Sequence, residues 1–105
     1  MEKKLRIALA QINPTLGDLR GNTERIRSFI MQAQELKADI ITFPELAICG
    51  YPPEDLLLKP HFVKDNLKVL DSLLEKISGI TAVVGFVDMD KMGNLHNAAG
   101  IIDNG

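Results

Sequence analysis

A short apolar run that stops at a proline is the feature that most constrains the fold of this chain. Residues 39–43 read Asp-Ile-Ile-Thr-Phe, which is typical of a buried β-strand. Pro44 ends the run, because proline is a strong breaker of regular structure. Glu45 follows directly, so we expect its carboxylate at the carboxyl edge of a sheet, where open α/β folds place their chemistry. Glu45 is therefore a candidate catalytic acid or base, with a structural role in capping the turn as the alternative.

Two apolar stripes with helical spacing predict a helix on each side of this strand. The first helix follows a loop over residues 12–21 and is capped by Asn22 or Thr23. The second has Pro60 as its first helical residue and ends with Gly79 in the C′ position. The stripes comprise Ile26, Phe29, Ile30, Ala33 and Leu36 in the first helix, and Val63, Leu67, Leu70, Leu74 and Ile77 in the second.

Three further strands complete the pattern. Residues 4–11 and 81–87 are rich in aliphatic side chains, and residues 95–103 follow a polar segment that contains Gly93-Asn94. Gly93-Asn94 is a plausible hairpin turn, so we expect the last two strands to pair antiparallel. The predicted order is β-α-β-α-β-β, which places residues 1–105 in one domain of the α/β class.

Composition excludes several classes of protein. The net charge is −2 and the basic residues are scattered, which argues against a nucleic-acid interface. The longest nearly apolar run, residues 80–87, is too short to span a membrane. Cys49, His61 and His96 stand apart, so no metal site is expected, and the single cysteine fits a reducing, cytoplasmic compartment. No glycine-rich phosphate loop is present, so no cofactor is expected on this chain.

Three segments together resemble a known family. They are residues 7–18 near the start, residues 43–57 around Glu45, and residues 96–99, which read His-Asn-Ala-Ala. In order and spacing they resemble the carbon–nitrogen hydrolase (nitrilase) superfamily. The extension Pro-Pro-Glu-Asp-Leu-Leu over residues 52–57 makes the chain most similar to the amidase domain that opens glutamine-dependent NAD synthetases.

The resemblance implies an αββα sandwich, in which two sheets pack face to face between layers of helices. A complete domain of this kind is more than twice as long as 105 residues, so we expect the chain to be the N-terminal part of a carbon–nitrogen hydrolase domain. We also expect the sheet face that should meet the second half to lie bare and apolar, which favours association.

The resemblance also implies a mechanism, amide hydrolysis through a thioester by a cysteine, a glutamate and a lysine. Glu45 matches the glutamate, whereas the lysine and the nucleophilic cysteine are expected beyond this chain. Cys49 is predicted to be a small buried apolar residue and not the nucleophile. Tyr51 matches an aromatic residue that shapes the glutamine pocket, with packing beneath the loop as the alternative.

The expected function is that of the whole enzyme. Glutamine would be hydrolysed, and its ammonia would amidate nicotinic acid adenine dinucleotide in a separate domain that binds ATP and Mg²⁺. The full-length protein would be a homo-oligomer, and the isolated chain would be inactive. The alternatives are a stand-alone nitrilase-type amidase and a non-catalytic α/β fragment that acts as an interaction module. Asn97 is expected to make a structural hydrogen bond, and His61, Glu54 and Asp55 are expected to face solvent.

Overall fold

The computed structural model describes residues 3–75 and 77–104. Within these residues, four strands and two α-helices follow one another in the predicted order, and a short 3-10 helix lies in the loop after the second strand. The elements are β1 (Ile7–Leu9), α1 (Leu19–Glu35), β2 (Ile40–Thr42), the 3-10 helix (Glu54–Leu58), α2 (Pro60–Leu74), β3 (Thr81–Met89) and β4 (Leu95–Asp103). The prediction of an α/β fold with order β-α-β-α-β-β is confirmed.

The strands form one mixed sheet in the order β1-β2-β3-β4. The first three strands are parallel, because a helix carries the chain back to the same sheet edge each time. β4 runs antiparallel to β3 after a tight turn, as the sequence predicted. The carboxyl ends of β1, β2 and β3 therefore all point to one edge of the sheet.

One face of the sheet carries the core. Since side chains alternate along a strand, the residues paired across one row of the sheet share a face. One such row places Ala8 of β1 beside Ile41, Ala82 and Ile102. The buried side chains of the two helices pack against this face, among them Ile26, Ile30 and Ala33 of α1 and Leu70 and Leu73 of α2.

The opposite face is largely bare. Its rows join Ile7 to Ile40 and Leu9 to Thr42, and continue through β3 to Asp103 and Ile101. Leu9 is 69% exposed and Ile101 is 74% exposed, although both are large apolar side chains. The expectation of an uncovered apolar sheet face is confirmed.

The predicted start of the first helix is wrong. α1 begins at Leu19, three residues before the first predicted cap, and Asp18 is its N-cap. The Asp18 carboxylate accepts a hydrogen bond from the Gly21 amide at 3.0 Å, which satisfies one of the unpaired donors of the first turn. A Cβ atom at position 21 would lie 2.1 Å from this carboxylate, so the glycine makes room for the cap.

The predicted end of the second helix is also wrong. α2 ends at Leu74 with Glu75 as its C-cap, so Gly79 is not the C′ residue. Gly79 lies in the turn before β3, where φ is +73° and its amide donates to the Asn104 side chain at 3.0 Å. Ile77 is buried outside the helix, and the side chain of Leu74 falls outside the described part of the chain.

The ends of the other elements differ less. Leu36 of the first stripe is the C-cap of α1 and is exposed. β1 and β2 are shorter than predicted, whereas β3 runs on to Met89. Over the described residues, neither helix has the length and apolar character needed to cross a membrane.

Candidate active site

Glu45 lies just beyond the end of β2, in a tight turn. Parallel pairing continues one residue past the strand, where the Phe43 amide donates to the Val83 carbonyl at 3.1 Å. Pro44 then ends the pairing, and Leu46 takes a positive φ of 50°, which is unusual for a bulky side chain. The Gly50 amide closes the turn by donating to the Leu46 carbonyl at 2.8 Å. Glu45 thus occupies the carboxyl edge of the sheet.

A glycine in β3 allows this turn to lie directly on the sheet. A Cβ atom on Gly85 would stand 2.6 Å from the Leu46 amide nitrogen and 3.0 Å from the Pro44 carbonyl oxygen. Both neighbours are backbone atoms, so only a glycine permits the observed approach. The Ile48 amide also donates to the Gly85 carbonyl at 3.2 Å. Sequence reasoning missed Gly85, although a glycine inside an apolar strand was a signal of close backbone approach.

Asn22 fixes the same turn from the helix side. Its side chain is fully buried, and its amide donates to the Thr15 carbonyl at 2.8 Å and to the Ile48 carbonyl at 3.0 Å. Its oxygen accepts from the Thr15 amide at 2.8 Å. The residue predicted to cap α1 therefore joins the loop after β1 to the turn that carries Glu45.

The Glu45 side chain meets β4. The side-chain amide of Asn97 donates a hydrogen bond to Oε1 of Glu45 across a separation of 52 residues. Asn97 pairs with Val87 in the sheet and shares a face with the exposed Ile101. The predicted structural hydrogen bond of Asn97 is therefore present, and its partner is the candidate catalytic carboxylate. Glu45 itself is exposed on the uncovered side of the sheet.

A small apolar cavity of about 110 Å³ adjoins this pair. The turn, the 3-10 helix and the β3–β4 hairpin each contribute to its lining, which comprises Leu46, Leu57, Val87, Leu95, His96 and Asn97. Asn97 thus belongs both to the cavity wall and to the contact with Glu45. The arrangement offers a carboxylate that can accept a proton, an amide that orients it, and an apolar surface beside them.

The other candidate residues do not join this pair. Cys49 is fully buried, as predicted, and desolvation raises the pKa of its thiol, which disfavours the reactive thiolate. Tyr51 is 65% exposed, so it does not pack beneath the loop. His61, Glu54 and Asp55 are exposed, as expected. In residues 3–75 and 77–104, no three His, Cys, Asp or Glu side chains are grouped so that they could hold a metal ion.

Comparison with known proteins places this site in a family context. The family described as "Carbon-nitrogen hydrolase" matches residues 6–105. The glutamine-dependent NAD(+) synthetase of Thermotoga maritima is 40% identical over 105 residues, which is 98% of this chain and 18% of that protein. The protein of the same name from Synechocystis sp. is 44% identical over 94% of this chain and 19% of its own length. The chain therefore spans about a fifth of the length of these relatives.

Solved structures give the same result. A glutamine-dependent NAD+ synthetase from Acinetobacter baumannii, in complex with ADP, superposes with a TM-score of 0.90 and 37% identity over 95% of this chain and 19% of that one. An amidase from Nesterenkonia sp. matches with a TM-score of 0.79 over 95% of this chain and 38% of its own, but at 24% identity it shows a shared fold alone. The resemblance identified from the sequence is thus confirmed, and the chain belongs to the carbon–nitrogen hydrolase family.

Proposed function

We propose that residues 1–105 form the N-terminal part of a glutaminase domain that releases ammonia from glutamine for NAD synthesis. Relatives named glutamine-dependent NAD(+) synthetases are 40% and 44% identical to the chain over nearly its whole length. We therefore favour a synthetase over a stand-alone amidase, because the likeness to the solved amidase concerns the fold alone.

The observation that carries the proposal is the placement of Glu45. Its carboxylate stands at the carboxyl edge of the sheet, on the uncovered face, with one oxygen bound by Asn97. In this position it can take a proton from a thiol and return it to departing ammonia. The thiol and the lysine that complete the family's chemistry are assigned by the proposal to the rest of the polypeptide.

Tyr51 is proposed to contact the substrate. It lies in the same loop as Glu45, and its ring is 65% exposed and so is available to a ligand. A tyrosine offers an apolar wall and a hydroxyl group, which suits an amino-acid substrate such as glutamine.

The remaining steps belong to the full-length protein. Ammonia would amidate nicotinic acid adenine dinucleotide in a domain that binds ATP and Mg²⁺, and no site for either is proposed on this chain. We further propose that the full-length protein is a homo-oligomer of the cytoplasm. The free thiol of Cys49 is in keeping with that compartment, where disulfides are rare.

The test is a Glu45→Gln substitution in the full-length protein, assayed with two nitrogen sources. Glutamine-dependent NAD formation should fall by at least about 100-fold, because a general base and acid is lost. Formation from free ammonia should be unchanged, since that step does not use Glu45. Glu35→Gln, at an exposed position on α1, is the matched control and should retain both activities. An equal loss with glutamine and with ammonia would remove the proposed role of Glu45.

A further inference from the structure

The contact between Asn97 and Glu45 joins two segments that are fixed independently of it. The turn that carries Glu45 lies on Gly85 and is bound by Asn22 through the Ile48 carbonyl. Neither anchor involves β4. Loss of the Asn97 amide would therefore leave the Glu45 backbone in place and free only its side chain.

The strand that pairs with Asn97 is bound by a side chain of α2. The partner of Asn97 in the register is Val87, and a fully buried side chain of α2, Asn66, binds both backbone groups of that residue. The Asn66 amide donates to the Val87 carbonyl at 2.6 Å, and its oxygen accepts from the Val87 amide at 3.4 Å. β2 ends before this point, so the Asn66 side chain makes the hydrogen bonds to β3 that a neighbouring strand would otherwise make. These two hydrogen bonds tie β3 to α2 at the residue that pairs with Asn97.

The chemistry of the contact fixes its direction. An ionised carboxylate only accepts hydrogen bonds, so the Asn97 side chain must present its NH₂ group to Glu45. The amide is neutral and cannot exchange a proton with the carboxylate. It occupies Oε1, and among the described residues no hydrogen bond involves Oε2. A carboxylate with one oxygen bound and one free is suited to directed proton transfer.

From these contacts we infer that Asn97 is a positioning residue, whose side-chain amide holds one oxygen of Glu45 so that the other faces the reacting groups. The inference rests on the proposed function of Glu45 and adds a second residue to the site. Asn97 acts through Glu45 and is not itself assigned to the reacting atoms.

The test compares Asn97→Ala and Asn97→Asp in the full-length protein. Both variants remove the donor, and Asn97→Asp keeps the shape of the side chain while placing a second carboxylate against Glu45. We expect kcat for glutamine hydrolysis to fall by about 10- to 100-fold in both, with the larger loss in Asn97→Asp, because a misplaced catalytic group costs that much. KM for glutamine should stay within about twofold, because the interactions that bind the substrate and the transition state equally are unchanged.

Two controls separate positioning from folding. NAD formation from free ammonia should be unchanged in both variants. Thr81→Val removes a side-chain hydrogen bond to Asp103 at the opposite end of the same hairpin, and it should leave kcat unchanged. Wild-type kcat in Asn97→Asp, or an equal loss with ammonia, would overturn the inference. Failure of the wild-type protein to hydrolyse glutamine would instead refute the proposed function itself.

Discussion

Gly85 and Asn22 show that a local sequence pattern can mark a residue of the site without revealing its partners. Gly85 could be recognised as unusual, because it interrupts an apolar strand, but its neighbours at Pro44 and Leu46 are visible only in the fold. Asn22 has the side chain of a good helix cap, and local reasoning chose that role. Asp18 caps the helix instead, and Asn22 reaches the Ile48 carbonyl, 26 residues away. Long-range partners of this kind leave no periodic signal in a sequence.

A Gly85→Ala substitution should lower activity by moving the turn that carries Glu45, and not through any contact of its own with the substrate. The added methyl group would collide with backbone atoms of the turn at 2.6 and 3.0 Å, so the turn must move and take Glu45 with it. We expect kcat for glutamine hydrolysis to fall by about 10- to 100-fold in the full-length protein. Steady-state kinetics with glutamine measure this loss, and the amide exchange of Ile48 should speed up as its bond to Gly85 weakens.

Gly100→Ala is the matched control for this change. Gly100 also lies in the hairpin, but a Cβ atom there would make only ordinary contacts, at 3.4 and 3.9 Å with ring carbons of Phe86 and at 3.8 Å with the Val84 carbonyl oxygen. It should retain wild-type kcat. Equal activity of the two alanine variants would show that the close approach at Gly85 does not position Glu45.

Among the secondary-structure elements, the β3–β4 hairpin was predicted correctly, but the hydrogen bonds of Asp90 that organise its turn were not predicted. The turn contains Gly93 at a φ of +84°, as its sequence suggested. Asp90 organises it, since one carboxylate oxygen accepts from the amides of Met92 and Asn94, each at 2.9 Å. The other oxygen contacts the Asn94 side chain and Nε2 of His96, both at 3.1 Å. The ring of His96, which follows the turn, therefore helps to hold the hairpin turn by contacting Asp90.

The stability of this hairpin should depend on pH in the acid range. The hydrogen bond with His96, followed by that with the Asn94 amide, lowers the pKa of Asp90 from 3.8 to about 2. A depressed pKa means that the carboxylate stabilises the folded turn fully above pH 4 and loses this effect as pH falls towards 2. Amide exchange at Asn94 should therefore rise, relative to its intrinsic rate, between pH 4 and pH 2.

An Asp90→Ala variant provides the reference for this titration. Its Asn94 amide should be less protected at pH 5 and should show no further change down to pH 2. A wild-type hairpin whose protection at Asn94 stays constant across this range would contradict the role of Asp90.

At the scale of the whole molecule, strand and helix order was predictable because it depends on periodicity within each segment. The stripe at Ile26, Ile30 and Ala33 and the strand at residues 39–43 carry that information locally. Helix ends were less predictable, because caps compete and their outcome depends on tertiary contacts. The uncovered apolar face was expected from the family resemblance, and it contains Leu9 and Ile101, which belong to strands whose other face is buried.

The site and the uncovered face are parts of one arrangement. Glu45 and Asn97 lie on the side of the sheet where Leu9 and Ile101 are exposed, and the chain spans 18% of the T. maritima relative. A second layer on this face would exclude water from the Glu45 carboxylate and would strengthen its interactions with the reacting groups. The proposed chemistry thus depends on the same surface that the αββα fold would cover.

The proposed transfer of ammonia from glutamine to NAD can be tested by following the amide nitrogen of glutamine. The full-length protein is given glutamine labelled with ¹⁵N in the side-chain amide, together with ATP, Mg²⁺ and nicotinic acid adenine dinucleotide, and the NAD product is analysed by mass spectrometry. We expect ¹⁵N in the carboxamide of NAD formed by the wild-type protein, and no label when Glu45→Gln is supplied with unlabelled ammonia as well. Unlabelled NAD from the wild-type protein, or label retained in Glu45→Gln, would contradict this expectation.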